Sequence, residues 1–126
     1  MLSGKRVYVV EDEAIVALEM QQVLEDAGAT VRTFPNATDA GLDENVVAAD
    51  LVLFDARLGA PQVVAFASRL RQAGVPMVVA SADTGVGTLF PDAVTLSKPF
   101  MAQTLIDACL AAITDRAPVT QYEARS

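Results

Sequence analysis

The chain has 126 residues, 52% of them hydrophobic, which is a single-domain length with enough apolar content for a sizeable core. A formal charge of −7 speaks against direct nucleic-acid binding and against anionic membrane surfaces, and no run reaches the roughly 18 apolar residues of a membrane helix. Histidine is absent, which removes Ser/His triads, imidazole-bound zinc and any histidine phospho-acceptor within the chain.

Met1 to Lys5 leads straight into a short β-branched run without a signal-peptide cleavage pattern. Lys5-Arg6-Val7-Tyr8-Val9-Val10 reads as a first strand, ending in Glu11-Asp12-Glu13. Val16, Met20, Val23, Leu24 and Ala27 then recur at helical spacing, with Gly28 placed to stop the helix. Ala29 to Phe34 is a second strand, less apolar and nearer an edge. Asn36 or Thr38 can cap a second helix, expected over Ala37 to Ala48, although Gly41 weakens it and its apolar stripe is poor.

Leu51-Val52-Leu53-Phe54 is a continuous apolar run, the signature of a strand buried on both faces, and it delivers Asp55. Arg57 to Pro61 break the pattern. Val63, Phe66, Ala67 and Leu70 form a third helical stripe, stopped by Gly74. Val75 to Ala80 is another buried strand, with Pro76 near its start and Ser81 at its end. Asp83 to Thr88 is a glycine-rich polar loop, and Leu89 to Asp92 is long enough for one helical turn. Val94 to Leu96 is a last short strand, followed by Lys98-Pro99. Met101 to Thr114 carries a final stripe of Leu105, Ile106, Cys109, Leu110 and Ile113. Cys109, the single cysteine, cannot form an internal disulfide, suits a reducing cytoplasm, and reads as inert core. The domain is expected over residues 1–115, with 116–126 a loose polar tail.

Strand and helix alternate five times, which gives a doubly wound α/β fold with a parallel sheet and helices on both faces. Neither a G-x-G-x-x-G turn nor a Walker loop is present. The carboxyl ends of parallel strands share one edge, so Glu11 and Asp12, Asp55, Ser81 and Lys98 converge there. Each has a plainer reading on its own: an acidic first helical turn, a helix cap, a loop serine, a surface charge. Together they supply what one chemistry requires. Clustered carboxylates want a cation, and a hard divalent ion such as Mg²⁺ suits an oxygen site. Ammonium and hydroxyl donors beside Asp55 complete a phosphoryl-acceptor constellation.

Val7 to Glu13, Leu51 to Asp55, Val78 to Ala82 and Lys98-Pro99-Phe100 resemble a response-regulator receiver domain of two-component signalling, over residues 4 to 115. The resemblance implies a flavodoxin-like five-stranded sheet of order 2-1-3-4-5. It makes Asp55 the phospho-acceptor. Asp12, Asp55 and the backbone carbonyl of Arg57 would hold Mg²⁺ or Mn²⁺, with Glu11 acting largely through water. Ser81 would bond the phosphoryl group and Lys98 would pair with it. The usual aromatic switch position is Thr95 here, and the stretch from Ser81 to Lys98 is short, implying a short or irregular fourth helix. Leu58-Gly59, the strand from Pro76 to Ala82 and Lys98-Pro99-Phe100 resemble a subgroup of single-domain receivers, with Val79, Ser81 and Ala82 departing from its motif. Arg57 and Asp83 border the site and can tune phosphate lifetime, or are ordinary solvated charges.

The implied function is that of a stand-alone, cytoplasmic response regulator. A sensor histidine kinase or histidine phosphotransfer protein would donate the phosphoryl group, and output would pass to a downstream protein target or end in a phosphate sink. No turnover of a separate substrate is expected. The alternative is a phosphorylation-independent binding module on the same fold.

Overall fold

A computed structural model describes residues 2–55, 60–81, 90, 93–115 and 121–122. The elements follow the predicted alternation. They are β1 Arg6–Val10, α1 Ala14–Asp26, β2 Thr30–Phe34, α2 Ala37–Leu42, a 3₁₀ turn Glu44–Ala48, β3 Leu51–Asp55, α3 Ala60–Ala73, β4 Met77–Ser81, β5 Val94–Ser97, α4 Ala102–Asp115 and β6 Gln121–Tyr122. All strand pairs are parallel, and the sheet order is β2-β1-β3-β4-β5-β6. The first five strands thus take the predicted order. Among the described residues, no helix is long and apolar enough to cross a membrane.

Side-chain alternation along the strands builds two cores. Val7, Val9, Leu51, Leu53, Val78, Ala80, Val94 and Leu96 face α1 and α4, meeting Met20, Leu24, Leu105 and Cys109. Tyr8, Val10, Val52, Phe54, Met77 and Val79 face the opposite way, toward Ala37, Ala40 and Val46 and the α3 residues Val63, Phe66, Ala67 and Leu70. Phe54 anchors this second layer, with edge-on contacts to Phe66 and Phe90 at centroid distances of 6.2 and 5.4 Å. Every residue of β3 and β4 is buried, whereas β2 has none buried and stands at the edge. That contrast matches the predicted difference between apolar central runs and a polar edge strand.

Glycine stops α1 and α3 as the sequence predicts. Gly28 and Gly74 have φ of 103° and 76°, a backbone region that side-chain-bearing residues avoid. Gly28 also lies against Ser3, whose Cα would be 2.9 Å from an added Cβ.

The second helix is shorter than expected. It ends at Leu42, and the chain turns extended at Asp43 before a separate 3₁₀ turn. Asp43 causes the break. Its carboxylate accepts from the Asn45 N–H at 2.8 Å and pairs with Arg32 on β2 at 3.1 Å, so it caps a new turn and does not continue the old one. Asn36 is the cap at the other end, accepting from the Asp39 N–H at 2.8 Å.

One further pairing lies in the tail. Within the stretch read as loose, Gln121 and Tyr122 pair with Thr95 and Leu96 and add a sixth strand to the expected five. Backbone pairing at an edge needs no apolar pattern, which is why composition gave no sign of it. Residues 82–89, 91 and 92, where a polar loop and an irregular fourth helix were expected, lie outside the described residues.

Candidate functional site: an acidic pocket at the carboxyl edge

From β2 the chain crosses back over β1 to form β3, so the sheet's winding reverses between β1 and β3. In open α/β sheets the crevice at such a reversal gathers ligand sites. Glu11 and Asp12 leave β1 there and Asp55 ends β3 there. The register Val10↔Phe54 brings Glu11 level with Asp55. On the far side, Asp55 pairs with Ala80, and Ser81 with Ser97. Ser81 and Lys98 therefore arrive at the same edge.

Glu11 is 2% exposed and Asp55 1%, while Asp12 is exposed. Carboxylate oxygens of the three lie within 4.8 Å of one another. The Lys98 ammonium donates to Asp55 Oδ2 at 2.5 Å and to Glu11 Oε1 at 3.4 Å. Lys98 starts beyond β5, so its long side chain spans β4 to reach groups on β3 and β1. Its backbone N–H donates to the Ser81 carbonyl at 3.0 Å, fixing the origin of that reach.

Burial raises the Glu11 carboxyl above its ordinary range. The Glu13 N–H, which donates to Glu11 Oε2 at 3.2 Å, opposes this, as does the Lys98 charge; Asp12 and Asp55 add to it. Among the described residues, the Lys98 ammonium pairs with two of these carboxylates, Asp55 and Glu11.

The donor set suits a hard divalent cation. Mg²⁺ takes oxygen ligands, and one carboxylate oxygen from each of the three residues lies within 4.8 Å of the others. Glu11, Asp12 and Asp55 are therefore the residues that could hold it.

The structure thus brings together Glu11, Asp12, Asp55, Ser81 and Lys98. Ser81 is 6% exposed at the end of β4. Thr95, equally buried, sits one layer below on β5 in register with Val79. Arg57 and Asp83, proposed from sequence as carbonyl ligand and tuning groups, lie outside the described residues. Cys109 is apart from the site among the side chains of α4, and burial pushes its thiol up to about 12. That supports an inert role. Sequence reasoning missed the contact between Lys98 and Glu11. The two residues lie 87 positions apart, just past the ends of β1 and β5, which β3 and β4 separate, so no local pattern could signal it.

Neither a protein-family model nor a curated protein matches the sequence. Solved structures do match. A response regulator receiver protein from Sinorhizobium medicae WSM419 is 27% identical, with a TM-score of 0.79, over 93% of this chain and 100% of that one. The chain has the receiver-domain fold. A sensor protein from Polaromonas sp. JS666 superposes with a TM-score of 0.76 at 22% identity, over 90% of this chain and 99% of that one. The chemotaxis response regulator CheY4 of Vibrio cholerae does so with a TM-score of 0.73 at 19% identity, over 86% and 98%. In this receiver fold the pocket of Glu11, Asp12 and Asp55 occupies the winding reversal, with Lys98 already bound to the buried carboxylate.

Proposed function

We propose that this chain is a response regulator that takes a phosphoryl group onto Asp55 from a phosphohistidine on a partner protein. The observation that carries this reading is the state of Asp55: buried, held by an ammonium at 2.5 Å, and within 4.8 Å of two further carboxylates. An Asp55 oxygen attacks phosphorus, the P–O bond forms, the P–N bond to imidazole breaks, and the imidazole takes a proton from solvent. The carboxylate form of Asp55 is itself the nucleophile, so its attack needs no general base. A bound divalent cation would supply Lewis-acid stabilisation of the phosphoryl oxygens. Glu11, Asp12 and Asp55 would hold it. Lys98 moves from the carboxylate to the incoming oxygens and compensates the charge that develops on them. Ser81, at the end of the neighbouring strand, would donate its hydroxyl to the same group.

A protein donor is favoured over a small phosphate by the rim. Ile15 and Leu18 on α1, which begins beside Asp12, are 74% and 53% exposed, and Met101, just after Lys98, is 60% exposed. Large apolar side chains in water next to a polar pocket suit contact with another protein. Signal output through a downstream protein, with no turnover of a separate substrate, belongs to the same proposal, as does operation in the cytoplasm.

Thermal unfolding with Mg²⁺ and beryllofluoride, a phosphoryl mimic, tests the reading. We expect a clear rise in Tm for the natural chain and none for Asp55→Asn. Equal behaviour of the two proteins would favour the phosphorylation-independent binding module.

A further inference from the structure

β5 would be an edge strand were it not covered by β6, and an uncovered edge presents unpaired N–H and C=O groups. One hydrogen bond tells which groups those are. The Lys98 N–H donates to the Ser81 carbonyl, so Leu96, of the same parity, turns its backbone groups toward β4. Thr95 and Ser97 turn theirs outward. With Thr95 in register with Gln121, the parallel ladder sets the Tyr122 N–H against the Thr95 carbonyl.

Among the described residues this pairing covers two residues, against five between β1 and β2. Short peripheral pairings open at the lowest free energy in a fold. The strand it covers leads directly into Lys98, whose ammonium is shared between Asp55 and Glu11. The shortest pairing among the described residues thus sits on the strand that leads into Lys98.

We propose that Gln121–Tyr122 form a strap over β5, closed while Lys98 is held by the carboxylates and released when Asp55 carries a phosphoryl group. The strap rests on the phosphoryl-acceptor reading above. The added group carries a charge of about −1.5 to −2 and extends beyond the carboxylate. Lys98 follows its oxygens, the end of β5 shifts with its side chain, and the two-residue pairing yields before the longer ones. Release leaves the outward groups of Thr95 and Ser97 able to pair with an extended segment of a partner.

Residue-resolved amide exchange on the full chain tests this. In the natural protein without ligand, Thr95 and Ser97 should exchange about tenfold more slowly than in Tyr122→Pro, which lacks the donor. Mg²⁺ with beryllofluoride should raise both rates in the natural protein to those of the variant, while amides of the inner strands slow. Asp55→Asn should show no such change. Equal rates in the natural chain and Tyr122→Pro without ligand overturn the strap. An Asp55-dependent rise in Tm without faster exchange at Thr95 and Ser97 overturns the coupling alone. If no Asp55-dependent rise in Tm occurs, the phosphoryl reading fails and the coupling fails with it.

Discussion

Lys98 has two duties at the residue scale. It pairs with buried carboxylates in the resting protein, and under the proposed function it would meet the phosphoryl group. Replacing it by Met removes the charge but keeps most of the stem. The fully buried Asp55 then loses its cation, and stability should fall by about 1–3 kcal/mol. This is less than the roughly 3–5 kcal/mol of a fully enclosed pair, because the Lys98 side chain is 19% exposed. Phosphorylation should slow at least tenfold in the same variant, since a positioned charge on the reacting oxygens is lost; single-turnover transfer kinetics would show it. Glu11 adds a pH signature. Its carboxyl is raised above 4.5 in the folded chain, so the folded state keeps a proton that the unfolded state has released. Without divalent cations, the contribution of Glu11 is full below about 4.5 and is lost as pH rises through the folded value. Melting in chelator should therefore show stability declining across that window. Mg²⁺ should reverse the trend by favouring the ionised form, and an unchanged profile with Mg²⁺ would count against a metal role for Glu11.

At the scale of the elements, the best-read parts were those with one dominant signal. β3 and β4 are unbroken apolar runs and are buried throughout; α1 and α3 have clear stripes and glycine stops. α2 was overextended because Asp43 acts through a cap and an ion pair to β2, and the latter contact is invisible until the strand is in place. Gly28 invites a direct test. Gly28→Ala should cost about 1–3 kcal/mol from positive φ alone, with more from the Ser3 backbone atom 2.9 Å from the new Cβ. Denaturant unfolding would measure it, and a neutral result would mean that the α1–β2 turn relaxes freely. β1 offers the opposite case. The Tyr8 hydroxyl is buried without a hydrogen-bond partner among the described residues, while its ring stacks on Phe34 at 5.6 Å. Tyr8→Phe keeps the ring and removes the unpaired group. Stability should rise by about 1 kcal/mol, or several degrees in Tm.

For the molecule as a whole, topology converts scattered sequence marks into one pocket. The alternation of strands and helices was legible, and with it the shared edge that collects Glu11, Asp12, Asp55, Ser81 and Lys98. The detailed division of contacts was not. Asp12 and Glu11 are neighbours in sequence, yet one is exposed and the other buried against Lys98, a difference decided by where β1 ends in the sheet. Nor was β6 legible, because two backbone-paired residues leave no pattern of side chains. The central claim is that Asp55 accepts a phosphoryl group. Phosphoramidate, whose P–N bond stands in for that of phosphohistidine, tests this with Mg²⁺ and intact-protein mass measurement. The natural chain should gain the mass of one phosphoryl group, labile to hydroxylamine as an acyl phosphate is, and Asp55→Asn should gain none. No gain in the natural chain, or an equal gain in Asp55→Asn, would contradict the account.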